Sequence, residues 1–183
     1  MRAMAERGYE KASIQAIAAA AGLTAGLVHY HFGSKQEVLL ALVDRLGALL
    51  RSRFEQRLAE AESPWARLDA FIDAHLALDS TSDTDAVACW VTIGAEALRQ
   101  PEVAAAYRVA VKTQLEQLEG LVRDVLVGEG RSRSAAQRIA AGLLSAIQGA
   151  YQLGVVAQAT PPGYAAETTR LMARGLIAAE ELG

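Results

Sequence analysis

The chain has 183 residues, of which 52% are hydrophobic and 21% charged, which suits a small module joined to a medium one and is too apolar for a disordered chain. Its net charge of −3 argues against indiscriminate coating of nucleic acid, and its one cysteine, Cys89, excludes an intrachain disulfide and leaves no cysteine-based zinc site within one chain. No uninterrupted apolar run approaches the roughly 18 residues of a membrane span and no signal-peptide core opens the chain, so a cytoplasmic protein without membrane contact is expected.

With four Pro residues, abundant Ala and few β-branched runs, the composition predicts an all-α fold. Met1 to Arg7 is helix-compatible and stops at Gly8, which can close a helix in the left-handed conformation. Ser13 is a good N-cap for a helix through Ile14, Ile17 and Ala18 that Gly22 ends. Thr24 caps the next, which carries Leu27, Val28 and Tyr30 and stops near Phe32 and Gly33. Ile14, Ile17, Leu23, Leu27 and Phe32 are expected core residues, and His31 a packing or helix-end residue.

Ser34 then caps a long helix, with Glu37 completing a capping box and apolar positions from Val38 to Leu58 at helical spacing almost to Glu62. Ser63-Pro64 reads as N-cap and first helical residue of a helix through Leu76, and the polar stretch from Asp79 to Asp85 reads as a loop. Val87 to Arg99 is the next helix, and Pro101 opens another to about Val127. A turn at Gly128 to Arg131 precedes a helix capped by Ser134 that reaches Gln158. Thr160-Pro161-Pro162-Gly163 breaks the chain before a last helix from Tyr164 to Leu182. The tally is about nine helices.

The informative segment is Ser13 to Lys35, SIQAIAAAAGLTAGLVHYHFGSK. Helix, tight turn and second short helix fit a helix-turn-helix, whose second helix enters the major groove of DNA. Residues 1–45 are therefore expected to form a three-helix DNA-binding domain, and 46–183 a helical ligand-binding and dimerisation domain. Five basic residues face four acidic ones in 1–45, against thirteen and seventeen in 46–183, which places any DNA-facing surface at the N-terminus.

The spaced residues Gly8-Tyr9, Ser13-Ile14, Ile17-Ala18, Ala21-Gly22-Leu23-Thr24, Gly26-Leu27, Tyr30-His31-Phe32 and Ser34-Lys35 closely resemble the N-terminal signature of the TetR family of transcriptional regulators. The resemblance implies a homodimeric repressor that binds operator DNA and is released from it by a small molecule. Tyr30 and Lys35 are similar to the family's phosphate-contacting Tyr and Lys, and Ser13 and Thr24 stand at helix N-termini suited to phosphate. Ala25, Gly26, Val28 and His29 are the candidates for facing bases; they carry few hydrogen-bonding groups, which leaves a share of specificity to DNA shape. Family members usually carry a longer first helix, often with a basic arm before it, so a first helix cut short, with native chain upstream, is expected.

A lone helix-turn-helix reads too few base pairs, so a dimer is expected. Its natural interface is the last two long helices. One is rich in small residues (Ala140, Ala141, Gly142, Ser145, Ala146, Gly149, Gly154), and the other offers Leu171, Met172, Gly175, Leu176 and Ala179. Candidate residues for holding the small-molecule effector are Phe71, His75, Cys89, Trp90, Ile93, Glu96, Tyr107, Val111, Gln148, Tyr151 and Gln152, which mix aromatic walls with polar anchors. Trp90 and Glu96 together suit a cation. The stretch from Cys89-Trp90 to Arg99-Gln100-Pro101-Glu102 resembles the C-terminal domain of BetI-type regulators.

Three His residues, one Cys and scattered carboxylates form no nucleophile-base pair, phosphate loop or metal spacing, so neither catalysis nor a metal or cofactor is expected. The rival reading is a helical ligand-binding or scaffold protein without DNA binding.

Overall fold

A computed structural model describes residues 9, 12–78 and 81–181, with backbone alone at 81 and 82. Eight α-helices follow one another among the described residues: α1 (Ile14–Ala20), α2 (Ala25–His31), α3 (Lys35–Leu58), α4 (Pro64–Leu76), α5 (Thr81–Glu96), α6 (Pro101–Gly128), α7 (Ala136–Ala150) and α8 (Tyr164–Ala178). A 3-10 turn (Arg133–Ala135) precedes α7 and a π-helical stretch (Tyr151–Val156) follows it; no extended strand occurs among the described residues. The helix expected over Met1–Arg7 lies outside them, and Tyr9, beyond its expected stop, is helical.

The described residues pack as two compact units, one drawn from 1–48 and 79–110 and the other from 49–78 and 111–183, with the division falling inside α3 and α6. In the first unit α1 packs on α2. Ala18, Val28 and Val38 form the buried centre, with Ile14, Ile17, Ala25, Phe32 and Leu42 against it. The turn between α1 and α2 is fixed by a paired closure: the Leu23 N–H donates to the Ala18 carbonyl (2.9 Å) and the Gly22 N–H to that of Ala19 (3.2 Å). This closure needs a left-handed residue between them, and Gly22, at φ 68°, adopts it without a Cβ penalty.

Two expectations for this module reverse. Val28, expected on the DNA side, is 4% exposed, whereas Leu23 and Leu27, expected in the core, are 46% and 41% exposed. The 100° advance per residue explains the exchange: Val28 shares the inward face with Ala25 (i−3) and Phe32 (i+4), which turns Leu27 outward.

α5 corrects a third expectation, since Thr81 to Asp85 is helical rather than loop. Ser, Thr and Asp are N-terminal helix residues as readily as loop residues. Asp83 sits in the first turn, where its charge complements the helix dipole, and the Ala86, Val87, Cys89 and Trp90 that follow are buried.

In the second unit α4, α7 and α8 pack on one another. Leu68, Phe71 and Ile72 of α4 meet a core that includes Leu118, Leu126, Ile139, Leu143, Ile147 and Ile177, all under 2% exposed. Ser63 caps α4 by accepting from the Ala66 N–H (3.1 Å), with Pro64 in the first turn as expected. The cap expected at Ser134 falls instead to Ser132, because a 3-10 turn precedes α7. On the surface, ion pairs tie α8 to α4, Arg174 to Asp69 (2.7 Å) and Arg170 to Asp73, and Arg174 also lies over the Trp65 ring.

Arg133 to Val156 is long and apolar enough to cross a membrane by length and composition alone, although Arg138, Ser145, Gln148 and Gln152 interrupt its apolar run as expected. Only 33% of its apolar window is buried within the chain. Ala141, Gly142 and Ser145 stay exposed on α7, as do Leu153 and Val156 after it, while Ala140 packs inward. On α8, Leu171 is 63% and Met172 48% exposed.

Candidate DNA interface and ligand-binding residues

The DNA-facing candidates are set out by their helix caps. The Ala16 N–H donates to Ser13 Oγ (3.1 Å) and the Leu27 N–H to Thr24 Oγ1 (3.3 Å), so each hydroxyl oxygen stabilises its helix and keeps its own proton to donate outward. At the start of α3 the Glu37 N–H donates to Ser34 Oγ (3.1 Å), and the Glu37 carboxylate accepts from the Gly33 N–H (2.9 Å). This closes the expected capping box one residue further upstream.

α2 presents Gly26, Leu27, His29 and Tyr30 to solvent, with Ala25 half-buried at its base. Tyr30 is 84% exposed, and its ring meets His31 edge-on at 5.3 Å. Of the residues expected to face bases, Val28 alone is withdrawn, and Leu27 stands on the open surface in its place. The Lys35 ammonium lies 4.2 Å over the Tyr9 ring, which holds the cation at the N-terminus of α3.

Tyr9 leads to a group that the residue reading did not find. Its hydroxyl donates to Gln100 Oε1 (3.4 Å), and the Gln100 amide donates to Glu96 Oε2 (3.1 Å). Glu96, 7% exposed, is also approached by Arg99 (3.6 Å). Nearby in sequence, the Gln36 amide donates to Glu102 (3.0 Å). These partners are 66 and 91 residues apart, and no local periodicity signals such pairs.

The residues expected to hold an effector fall into the two units. In the first, Trp90 and Tyr107 stack with centroids 4.6 Å apart at 33°. Gly94, one turn beyond Trp90, permits this approach: a Cβ there would lie 3.1 Å from the Tyr107 hydroxyl oxygen. Burial raises the Tyr107 hydroxyl pKa, and it pushes the Cys89 thiol up to about 11, which keeps that thiol protonated and inert. Ile93 is fully buried.

In the second unit Phe71 and His75 stack at 4.2 Å, and His75 Nδ1–H donates to the Phe71 carbonyl (2.8 Å), which fixes the tautomer because a carbonyl only accepts. The Tyr151 hydroxyl donates to the His75 carbonyl (3.2 Å). Burial lowers the His75 pKa to about 4, so the ring is neutral. The Gln114 amide, absent from the expected set, lies within reach of the ring, yet no bond of good geometry closes on Nε2. Gln148 and Val111 are half-buried. Gln152 is exposed: the π-helical stretch turns Tyr151 inward and Gln152 out. A separate cleft of about 400 Å³ is lined by Phe54, Leu58, Arg67, Gln117, Leu121 and Asp124 among others.

A capped α1, a Gly22 turn and an open-faced α2 ahead of a long α3 define a helix-turn-helix DNA-binding protein. Residues 1–42 match the model of bacterial regulatory proteins of the tetR family, and residues 64–180, more than half the chain, match that of the C-terminal domain of BetI-type transcriptional repressors. The chain belongs to the TetR family of transcriptional regulators, in its BetI-type branch. It is 29% identical over 153 residues to the transcriptional regulator BetI of Rhizobium meliloti (strain 1021), which covers 82% of this chain and 71% of that protein. It is 33% identical to BetI of Agrobacterium fabrum over 56% of this chain and 49% of that one.

Solved structures agree on the fold. A regulator from Saccharomonospora viridis in complex with choline superimposes with a TM-score of 0.80 at 22% identity, covering 98% of this chain and 93% of that one. A transcriptional regulator from Rhodococcus sp. RHA1 does so with a TM-score of 0.75 at 25% identity, covering 99% and 93%.

Proposed function

We propose that this DNA-binding regulator is a homodimeric repressor whose residues 1–45 read an operator and whose residues 46–183 form the dimer and hold a small organic cation that releases it. The carrying observation is the exposed surface of α2 beside a Lys35 held on the Tyr9 ring: small and apolar side chains face outward where bases would lie, with Tyr30 and Lys35 at its end. Gly26, Leu27 and His29 would face bases, Ala25 at their edge, and Ser13, Thr24, Tyr30 and Lys35 phosphates. The dimer would form through α7 and α8, whose exposed Gly142, Leu153, Leu171 and Met172 make an apolar face that a second copy would cover. That cover would also account for the apolar stretch from Arg133 to Val156, whose apolar window is only 33% buried within its own chain.

The effector class is supported by the stacked Trp90 and Tyr107 and the buried Glu96 carboxylate of α5, aromatic faces and an anion being what a quaternary ammonium requires. The choline bound by the Saccharomonospora viridis regulator, of the same fold, makes choline the first compound to try. Release from the operator requires the effector to favour a conformation whose recognition helices miss successive major grooves, roughly 34 to 36 Å apart.

The test is fluorescence anisotropy with duplex DNA from upstream of the protein's own coding sequence, with and without choline. Selective, salt-sensitive binding that collapses in a Tyr30→Ala, Lys35→Ala variant and is released by choline is the expected result. Binding indifferent to both substitutions would overturn the assigned interface, and release by choline from a Trp90→Ala variant at unchanged concentration would overturn the effector site.

A further inference from the structure

Lys35 is held at the N-terminus of α3 by the Tyr9 ring beneath its ammonium, at 4.2 Å. A flexible lysine side chain gives a phosphate contact only as good as its placement, since ordering it has a large rotamer-entropy cost. The placement is itself supported. The Tyr9 hydroxyl donates to Gln100 Oε1, and the Gln100 amide is oriented by Glu96, a carboxylate 7% exposed at the end of α5. A primary amide can turn over, but with its nitrogen committed to Glu96 its oxygen is the group left to face Tyr9. The order is therefore fixed from carboxylate to amide to phenol to ammonium. The same rod, α5, carries Trp90 and the Gly94 that packs on Tyr107.

We infer that Glu96 and Gln100 are positioning residues for DNA binding, which set the Tyr9 ring under Lys35 so that the ammonium is aimed at a backbone phosphate. The inference rests on the regulator reading and adds to it two residues that touch no DNA. Breaking the chain at either bond leaves Lys35 itself in place but loosens the Tyr9 ring that lies under its ammonium. The phosphate contact is then made in a smaller fraction of the bound state.

The experiment is a salt series of anisotropy titrations with the labelled upstream duplex. It compares the unmodified protein with Gln100→Leu, Tyr9→Phe, Lys35→Ala and the double variant Gln100→Leu, Lys35→Ala. Gln100→Leu and Tyr9→Phe, the latter keeping the ring and removing only the hydroxyl, should each weaken binding roughly three- to tenfold, the effect of one polar contact. Each should also flatten the plot of log affinity against log salt by up to about 0.9, the share of one phosphate contact. In the double variant the Gln100 substitution should add nothing to the loss caused by Lys35→Ala.

A general structural role for Gln100 predicts the opposite, additive losses with an unchanged salt slope, and that result would overturn the inference, as would full affinity in Tyr9→Phe. If Gln100→Leu does not fold by circular dichroism, Tyr9→Phe alone and with Lys35→Ala carries the same test. Failure of the unmodified protein to bind DNA selectively would sink the regulator reading and this inference together. Normal binding with indifferent variants sinks the inference alone.

Discussion

Acidification should destabilise this protein through His75. The ring is fully buried against Phe71, and burial holds its pKa near 4, against an ordinary value of 6.5. A histidine whose folded pKa is depressed binds fewer protons in the fold than in the unfolded chain, so its contribution is complete above pH 6.5 and is lost as the pH falls towards 4. At the limit the loss is about 3 kcal/mol. Between pH 7.5 and pH 5 the same two values give about 2 kcal/mol, which lowers a urea midpoint by about 1 M for an m-value near 2 kcal/mol/M.

The range should stop at pH 5, because burial raises the Asp73 carboxyl and its titration works in the opposite sense nearer its own range. Urea unfolding at one fixed protein concentration, followed by circular dichroism at pH 7.5, 6.5, 5.5 and 5.0, is compared with a His75→Gln variant, which removes the titrating group at this position. The variant should be less stable at pH 7.5, having lost the bond to the Phe71 carbonyl, and its midpoint should fall less with pH than that of the unmodified protein, by about 1 M between pH 7.5 and 5. Equal pH dependence in both proteins would refute the assignment to His75.

Leu171→Glu, on the exposed face of α8, should leave the thermal midpoint of the protomer within a few degrees while sedimentation velocity shows monomers. An intact dimer would place the interface elsewhere. Thr24→Ala removes the acceptor for the Leu27 N–H and should cost about 1 kcal/mol, seen as faster amide exchange confined to α2. Gly94→Ala should be destabilising by about 1 kcal/mol despite the better helix propensity of Ala, because its Cβ would meet the Tyr107 ring. Adding Tyr107→Phe should recover part of that loss in urea titrations; no recovery would put the strain elsewhere.

Much of the architecture was legible in the chain itself. Caps at Ser13, Thr24, Ser34 and Ser63, glycine at the left-handed Gly22 and helical spacing from Val38 to Leu58 are local features, each settled by hydrogen bonds within a few residues. Ser13, Gly22, Thr24 and Ser34 also belong to the spaced residues that carry the TetR resemblance, so the helix-turn-helix and its function were legible in the chain. Local chemistry misled where two outcomes share one vocabulary: the Ser, Thr and Asp of 81–85 suit a loop or a helix start, and burial of Val87, Cys89 and Trp90 decided for the helix.

What only the tertiary structure decided depends on which face of a helix meets a neighbour. Val28 and Leu27 are both apolar and adjacent, and only the packing of α2 on α1 turned the first inward and the second out. The line from Glu96 through Gln100 to Tyr9 and Lys35, and the burial that holds His75 neutral, likewise join residues far apart in the chain. The sequence by itself determined the helices, their caps and the family, because those follow from interactions over one turn. Side-chain pairing and pKa follow from the density and polarity of whatever the fold places alongside, which no local pattern encodes.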